Sequence, residues 1–405
     1  MSAQLHRLLS PLRPLGKVLN IPSQRRLANA VNVHDLRIAA AARSHKMVFD
    51  YIDGAADDEI GLGRSRSAYD DFEVHYDVLS GVDAPDFRTQ LLGHDLGLPF
   101  FCCPTAGQKL FHHEGEAAAA SVCNEENMLF CLSTLATTGL DEVASLHKGP
   151  KLLQLYLWKD RAIVRDMLQR AREAGFTAIA LTADTSWLGN RERDPRNGFT
   201  IPPTYSPYMI YHALLKPAWS FDFVTHEPMR FAAAGSDAPA EALSAFFADQ
   251  MSKDFTWRDA EWILNEWGGP SSLKGVCKVE DARRAVDLGF DSIWISNHGG
   301  RQLETSPPTV KLLPQFREAV GPDVPLIVDG GIMRGAHIAK ALALGANAVG
   351  IGRAYLYGLA AGGTPGVRKA IGILKRELMN TMGLLGVASV DELRRRGPEL
   401  VRTRM

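Results

Sequence analysis

The chain has 405 residues, 46% hydrophobic and 22% charged, with 36 Gly and 22 Pro. That composition excludes collagen, a long coiled coil and wholesale disorder. Lys and Arg number 45 against 46 Asp and Glu, so the basic excess of a nucleic-acid binder is missing. Cys102, Cys103, Cys123, Cys131 and Cys277 form no C-x-x-C pair. They read as buried thiols in a reducing compartment, with neither a metal site nor a disulfide framework. No apolar run reaches the length of a membrane span. The expectation is a soluble, cytoplasmic protein.

Before Asp35 there is no acidic residue, while Arg7, Arg13, Lys17, Arg25 and Arg26 are basic. Pro11, Pro14 and Pro22 interrupt any helix there. Residues 1–34 therefore read as a basic arm, disordered or draped on the surface. The alternatives are an organelle transit peptide and a patch that touches anionic lipid.

From residue 35 onward short apolar strands alternate with helical stretches. Strand patterns run over 99–103, 129–132, 152–157, 177–181, 292–295, 325–328 and 348–351, with one more ending at Leu273. Helical patterns run over 115–126, 161–174, 279–288, 309–320, 336–344 and 366–379. Eight near-continuous apolar strands separated by helices predict a parallel sheet covered on both faces, hence an α/β fold of the (β/α)₈ TIM-barrel type. An open doubly wound sheet is the alternative, but no G-x-G-x-x-G follows an early strand. A long insertion at about 192–256 breaks the rhythm after strand four. It carries Tyr205, Tyr208, Met209, Ile210, Tyr211, Leu214, Leu215, Trp219, Phe221 and Phe223, then an Ala-rich stretch. Its aromatics either pack on the barrel, form a lid, or meet a membrane or redox partner. Residues 35–405 are expected to form one domain.

Polar residues and glycines gather at the C-terminal ends of the strands, where barrel active sites are built. Asp329-Gly330-Gly331 and Gly352-Arg353 end strands seven and eight, the usual barrel phosphate position. The stretch 296–302, S-N-H-G-G-R-Q, sets His298 and Arg301 three residues apart on a Gly-rich turn. The imidazole suits a base near neutral pH, and the guanidinium a bidentate grip on a carboxylate. Asp184, ending strand four, is a candidate to support His298, and Arg191 a second clamp. Lys274 caps strand five, and Tyr156 and Tyr51 offer hydroxyls. Together these describe a barrel holding a phosphate-bearing cofactor and a small carboxylate, with a histidine base between them.

The unbroken S-N-H-G-G-R-Q stretch resembles the signature of the FMN-dependent L-2-hydroxy-acid oxidases and dehydrogenases. Further matches stand at Asp50-Tyr51, Pro104-Thr105-Ala106, Leu132-Ser133, Gln154-Leu155-Tyr156, Leu181-Thr182-Ala183-Asp184, Leu273-Lys274-Gly275 and Ile351-Gly352-Arg353. The resemblance implies FMN as cofactor and oxidation of an L-2-hydroxy acid, lactate-like or larger, to the 2-keto acid. His298 would take the substrate's proton with Asp184 behind it. Tyr51, Arg191 and Arg301 would hold the carboxylate, and Tyr156 the hydroxyl. Pro104, Thr105, Ala106, Ser133, Gln154 and Thr182 would hold the flavin ring, and Lys274 would sit by its N1 and O2. Ser296, Asp329, Gly330, Gly331, Arg334, Gly352 and Arg353 complete the expected cofactor set.

The resemblance also implies a homotetramer passing electrons to a quinone, a cytochrome or O₂, with peripheral contact on the inner face of a membrane. Three positions depart from the family pattern. Met333 stands where most relatives carry Arg, with Arg334 following; Leu135 replaces a Trp of glycolate oxidases; Ser271 and Ser272 replace apolar residues. The rival readings are a phosphate-binding barrel of another class, an isomerase or FMN reductase, and a flavin-poor non-catalytic relative.

Overall fold

The computed structural model describes residues 10–199, 206–227, 229–234 and 253–404. Its eight core strands are β1 (Phe100–Cys102), β2 (Phe130–Ser133), β3 (Lys151–Leu155), β4 (Ala178–Thr182), β5 (Ser271–Val276), β6 (Ser292–Ile295), β7 (Leu326–Asp329) and β8 (Ala348–Ile351). They pair in parallel and close on themselves, with β8 against β1, into the expected (β/α)₈ barrel. Closure leaves no sheet edge, so every core strand finds a ladder partner on both sides.

Although the strands read as unbroken apolar runs, their side chains still alternate between two cores. In β1, Phe101 points inward with Cys131, Ala180, Trp294 and Ile327. Phe100 and Cys102 point outward, beneath helices that supply Val164, Ala282, Leu313 and Ile338. A hairpin of Thr89–Leu91 and His94–Leu96 adds Leu91 and Leu96 to the inner cluster, beside the strand-start residues Leu152, Ala178 and Ala348. That plug shuts the N-terminal end and leaves the C-terminal end as the mouth.

Several elements differ from the sequence-based expectation. The arm is helical over Leu15–Leu19 and Ile21–Asn29, burying Ser23 and Leu27. Its prolines do not break those helices: Pro14 precedes the first, and Pro22 sits in the opening turn of the second, where a missing N–H costs nothing. The last long helix spans Arg353–Leu385 rather than 366–379, with a kink at Gly362 and Gly363. Residues Ala354 to Ala361 are all buried, so that half lacks the polar face on which the periodicity argument depends. Lys274 lies inside β5 rather than capping it. Ser271 is tolerated there because Asp291 Oδ2 accepts its backbone N–H at 2.8 Å and its hydroxyl at 3.0 Å. Nothing in the structure explains Ser272, whose buried hydroxyl has no partner among the described residues.

The insertion after β4 carries helices Arg193–Arg196, Pro207–Leu214 and Pro217–Thr225. Met209 and Trp219 pack inward, and Trp219 Nε1 donates to the Leu110 carbonyl at 2.8 Å. Ile210, Tyr211, Leu214 and Leu215 are exposed. Arg7, Tyr205 and most of the Ala-rich stretch lie outside the described residues. Among those described, no helix is long and apolar enough to cross a membrane. Cys102, Cys103, Cys123 and Cys131 are buried, Cys277 is half-buried, and all five are free thiols.

Candidate active site

The barrel mouth opens into a cavity of about 400 Å³. It is walled by the strand ends, by the Lys46–Asp53 helix through Tyr51 and Ile52, and by the insertion through Phe199 and Phe231. Of the residues singled out from sequence, Tyr51, Pro104, Thr105, Ala106, Gln154, Tyr156, Thr182, Arg191, Lys274, His298, Arg301, Asp329, Gly330, Gly331, Gly352 and Arg353 line it.

After β6 the chain turns through His298 (φ 55°), Gly299 and Gly300, all left-handed. A non-glycine residue there carries backbone strain of roughly 1–3 kcal/mol. Here the turn aims the His298 ring at Asp184, whose carboxylate oxygens lie 3.1 and 3.3 Å from Nδ1. A carboxylate only accepts, so Nδ1 carries the proton and Nε2 is free to act as a base. Burial lowers the His298 pKa against the opposing pull of Asp184, keeping the ring neutral at physiological pH. Asp184 itself is held below its usual value: burial raises it, but His298 and Lys274 outweigh that.

Arg301 donates to the carbonyls of Tyr51 at 2.7 Å and Gly54 at 3.1 Å, and its guanidinium lies 4.8 Å from the Tyr51 ring centre. Arg191 Nη2 is 3.4 Å from Gln302 Oε1. Among the described residues neither arginine pairs with a carboxylate, although both face the cavity. Burial, then Arg191, lower the Arg301 pKa to about 9. Asp194 also lines the cavity and its charge acts on both arginines, but it forms no salt bridge with either among the described residues, so neither guanidinium is held by a carboxylate. Burial also pushes the Tyr156 phenol up to about 12, so it remains a donor.

The cavity floor is a hydrogen-bonded chain. Ser133 Oγ donates to Gln154 Oε1 at 3.1 Å, and Gln154 Nε2 donates to Thr182 Oγ1 at 2.9 Å. Ser133 and Ser296 are buried one layer behind the lining. Asp329 is a hub: Ser296 Oγ donates to it at 2.7 Å, Trp294 Nε1 at 3.0 Å, and Lys274 Nζ lies 3.2 Å away. Its carboxylate therefore anchors Lys274, leaving only backbone to face a phosphate. Burial opposes the Lys274 charge, yet Asp329 and Asp184 outweigh it and hold the ammonium above its usual value.

Gly330 and Gly331 turn with φ 102° and 75°. A Cβ on Gly331 would lie 1.9 Å from the Ser65 carbonyl, so the Ile60–Ser67 helix packs directly on that loop. Gly352 has an ordinary φ of −105°, and a Cβ there would meet nothing within 4 Å. No internal contact demands glycine at that position; the room it leaves faces the cavity, as a phosphate cradle requires.

Arg334 does not join this site. Its Nε pairs with Glu377 at 3.1 Å on the outside, because the helix beginning at Gly335 turns it away. Met333 lines the cavity instead, and Arg66 from the Ile60–Ser67 helix reaches it. Sequence reasoning missed Arg66, which sits in a plain polar run without a motif, together with Phe111, Phe199 and Phe231. Arg353 spends Nε, Nη1 and Nη2 on the carbonyls of Ile52, Gly299 and Gly54, at 3.0, 2.8 and 2.6 Å. It ties the N-terminal helix to the His298 turn while leaving its charge at the cavity.

The sequence pattern of the FMN-dependent dehydrogenases matches residues 40–400. A Mycobacterium tuberculosis protein provisionally named an L-lactate dehydrogenase is 40% identical over 386 residues, covering 95% of this chain and 93% of that protein. Glycolate oxidase of Spinacia oleracea is 37% identical over 364 residues, covering 90% and 94%. The solved structure of (S)-mandelate dehydrogenase, described as a monotopic membrane protein, is similar with a TM-score of 0.89 and 33% identity, covering 93% of this chain and all of that one. A barrel mouth with a buried lysine, glycine turns and a histidine–aspartate pair, on a chain matched along nearly its whole length, places this chain in the FMN-dependent dehydrogenase family, the 2-hydroxy-acid dehydrogenases and oxidases.

Proposed function

We propose that the protein oxidises an L-2-hydroxy acid to its 2-keto acid. The observation that carries this is the pair of cavity-facing arginines, Arg191 and Arg301, which form no salt bridge with a carboxylate among the described residues, beside the His298–Asp184 pair. A bound carboxylate would pair with both guanidinium groups, which fix its orientation. Tyr156 donates to the substrate hydroxyl. His298 Nε2 takes the substrate proton, and Asp184 stabilises the imidazolium that forms. The chemistry that bound FMN supplies is acceptance of the electron pair from the substrate carbon. Lys274, in the cavity lining, would stabilise negative charge on the bound cofactor. Pro104, Thr105, Ala106, Ser133, Gln154 and Thr182 support the ring. Gly330, Gly331 and Gly352, with Arg353 and Arg66, would hold the phosphate, Arg66 supplying the charge that Met333 lacks.

Leu135, Leu188, Phe199 and Phe231 also line the cavity. This apolar wall suits a substrate side chain from methyl to phenyl. The 35–405 unit reads as one flavin domain with the arm packed on it, assembling as a homotetramer. Exposed Leu12, Leu15, Val18 and Ile21 of the arm, with Ile210, Leu214 and Leu215 of the insertion, support peripheral attachment to a membrane. Arg13 Nε donates to the Thr225 carbonyl at 2.9 Å, joining the two elements.

The test is an anaerobic absorbance spectrum of the FMN-loaded protein before and after L-lactate and L-mandelate. Bleaching by L- but not D-enantiomers is expected. FMN binding without bleaching by any 2-hydroxy acid would overturn the reading.

A further inference from the structure

The Lys46–Asp53 helix ends on an ion cluster that reaches both halves of the site without lining the cavity. The Asp53 side chain is 3% exposed. Arg37 grips its carboxylate with Nε at 2.6 Å and Nη2 at 2.7 Å. Arg193 Nη1 donates to it at 3.2 Å, and the Tyr357 hydroxyl donates at 2.7 Å. Burial opposes the Asp53 charge, yet Arg37 and Tyr357 outweigh it and hold the carboxyl below its usual range. Arg193 also reaches Asp50 at 3.5 Å and pairs with Glu59, while Lys46 pairs with Asp50. Asp50, Asp53 and Glu59 are thus balanced by Lys46, Arg37 and Arg193. A satisfied, charge-neutral network has little to offer a ligand; its bonds fix where its members stand.

One arm of the network runs to the cofactor side. Tyr357 lies one helical turn beyond Arg353, so both project from one face of the last long helix toward residues 52–54. Arg353 takes the carbonyls of Ile52 and Gly54, and Tyr357 takes the Asp53 side chain. With its proton committed to Asp53, the Tyr357 oxygen can only accept, and Arg66 Nη2 donates to it at 3.3 Å. This bond orients the Arg66 guanidinium where it lines the cavity.

The other arm runs to the substrate side. Arg193 opens the short Arg193–Arg196 helix, two residues past Arg191. Arg191 is loosely held by its own contacts, 3.4 Å from both the Arg301 carbonyl and Gln302 Oε1. Its place therefore depends on how the loop is moored. Arg193 moors it on Asp53, Asp50 and Glu59, and Asn197 Nδ2 adds a bond to Asp50 at 2.7 Å. Gly189 seats the near end, where a Cβ would lie 2.2 Å from the Arg301 carbonyl.

We propose that Asp53 is a positioning residue common to both halves of the site: through Tyr357 it holds Arg66 toward the cofactor phosphate, and through Arg193 it holds the loop that presents Arg191 to the substrate carboxylate. The proposal rests on the hydroxy-acid reading above, with Arg66 as a phosphate ligand. Asp53 touches neither ligand, so its loss leaves the His298–Asp184 pair in place while loosening two grips at once. Cutting the Tyr357 bridge frees Arg66 alone; cutting the Arg193 anchor frees Arg191 alone. A grip lost equally from bound substrate and transition state raises KM and leaves kcat.

The experiment uses the FMN-loaded protein. FMN release is followed by fluorescence on dilution, and anaerobic flavin reduction over a range of L-lactate or L-mandelate. Tyr357→Phe should speed FMN release about five- to tenfold, less than Arg66→Gln does, with KM unchanged. Arg193→Gln should raise KM at least about fivefold, with kcat within about twofold of wild type and FMN release unchanged. Asp53→Asn should show both effects, and adding Tyr357→Phe to it should speed release little further. Should Asp53→Asn fail to fold, the two outer variants decide. General loosening moves release and KM together, so either outer variant that does so overturns the proposal. So does an unchanged KM in Arg193→Gln, or wild-type release in Tyr357→Phe when Arg66→Gln is fast. If Arg66→Gln is itself silent, the phosphate reading of Arg66 falls, and the cofactor arm with it. A wild-type flavin that neither acid reduces overturns the hydroxy-acid reading, and FMN release then decides the Asp53 assignment alone.

Discussion

Replacing Asp184 with Asn leaves a side chain of the same shape but removes the charge facing His298. In the structure that charge sits 3.1 Å from Nδ1. At an effective dielectric of about 20 the attraction to an imidazolium is about 5 kcal/mol. The amide keeps part of its dipole toward the ring, so about 4 kcal/mol is lost when His298 accepts the substrate proton. At 1.36 kcal/mol per decade, flavin reduction should slow about a thousandfold. The pH dependence has a definite sign. His298 works as a neutral base and its pKa already lies below its usual value, so activity is full near neutrality and falls as pH drops through that pKa. Asp184 raises the pKa, so D184N should move the acid limb to still lower pH while lowering the plateau. The assay is the anaerobic reduction rate at saturating L-hydroxy acid from pH 5 to 9, with FMN content and thermal midpoint as controls. A variant that keeps a tenth of the wild-type rate with an unmoved acid limb would refute the dyad.

Three further outcomes follow from the geometry. Lys274→Met strands the Asp329 carboxylate, although Ser296 and Trp294 still donate to it. The expected cost is about 3 kcal/mol in urea unfolding, the lower end for a broken buried pair, and adding Asp329→Asn should recover at least about 1 kcal/mol. Arg66→Gln should weaken FMN retention by about 1.5–3 kcal/mol, measured by flavin fluorescence on release, whereas Arg334→Gln should leave it unchanged. Leu214→Glu with Leu215→Glu removes two exposed apolar side chains from the insertion; lipid-vesicle sedimentation should fall about a hundredfold, at roughly 1.5 kcal/mol for each leucine no longer buried.

The local order of the chain determined the barrel. Each β-α unit carries its own signals, in apolar strands, amphipathic helices and glycine stops, and parallel strands so spaced have few ways to pack. The S-N-H-G-G-R-Q turn was legible for the same reason: its residues stand in one short stretch, and Asp184, two residues past the end of β4, meets His298 at the same barrel mouth. Tertiary structure alone decided what comes from distant segments. Arg66 reaches the cavity because its helix seats on Gly331, a contact set by the absence of one Cβ. Arg334, one residue beyond a cavity-lining Met333, is turned outward by the helix it opens. The arm's prolines read as breakers until packing showed them at helix starts. The buried half of the last helix hid from periodicity because a helix without a polar face has no period to detect. Chemistry confined to one turn is written in sequence; chemistry assembled from remote helices depends on how they pack.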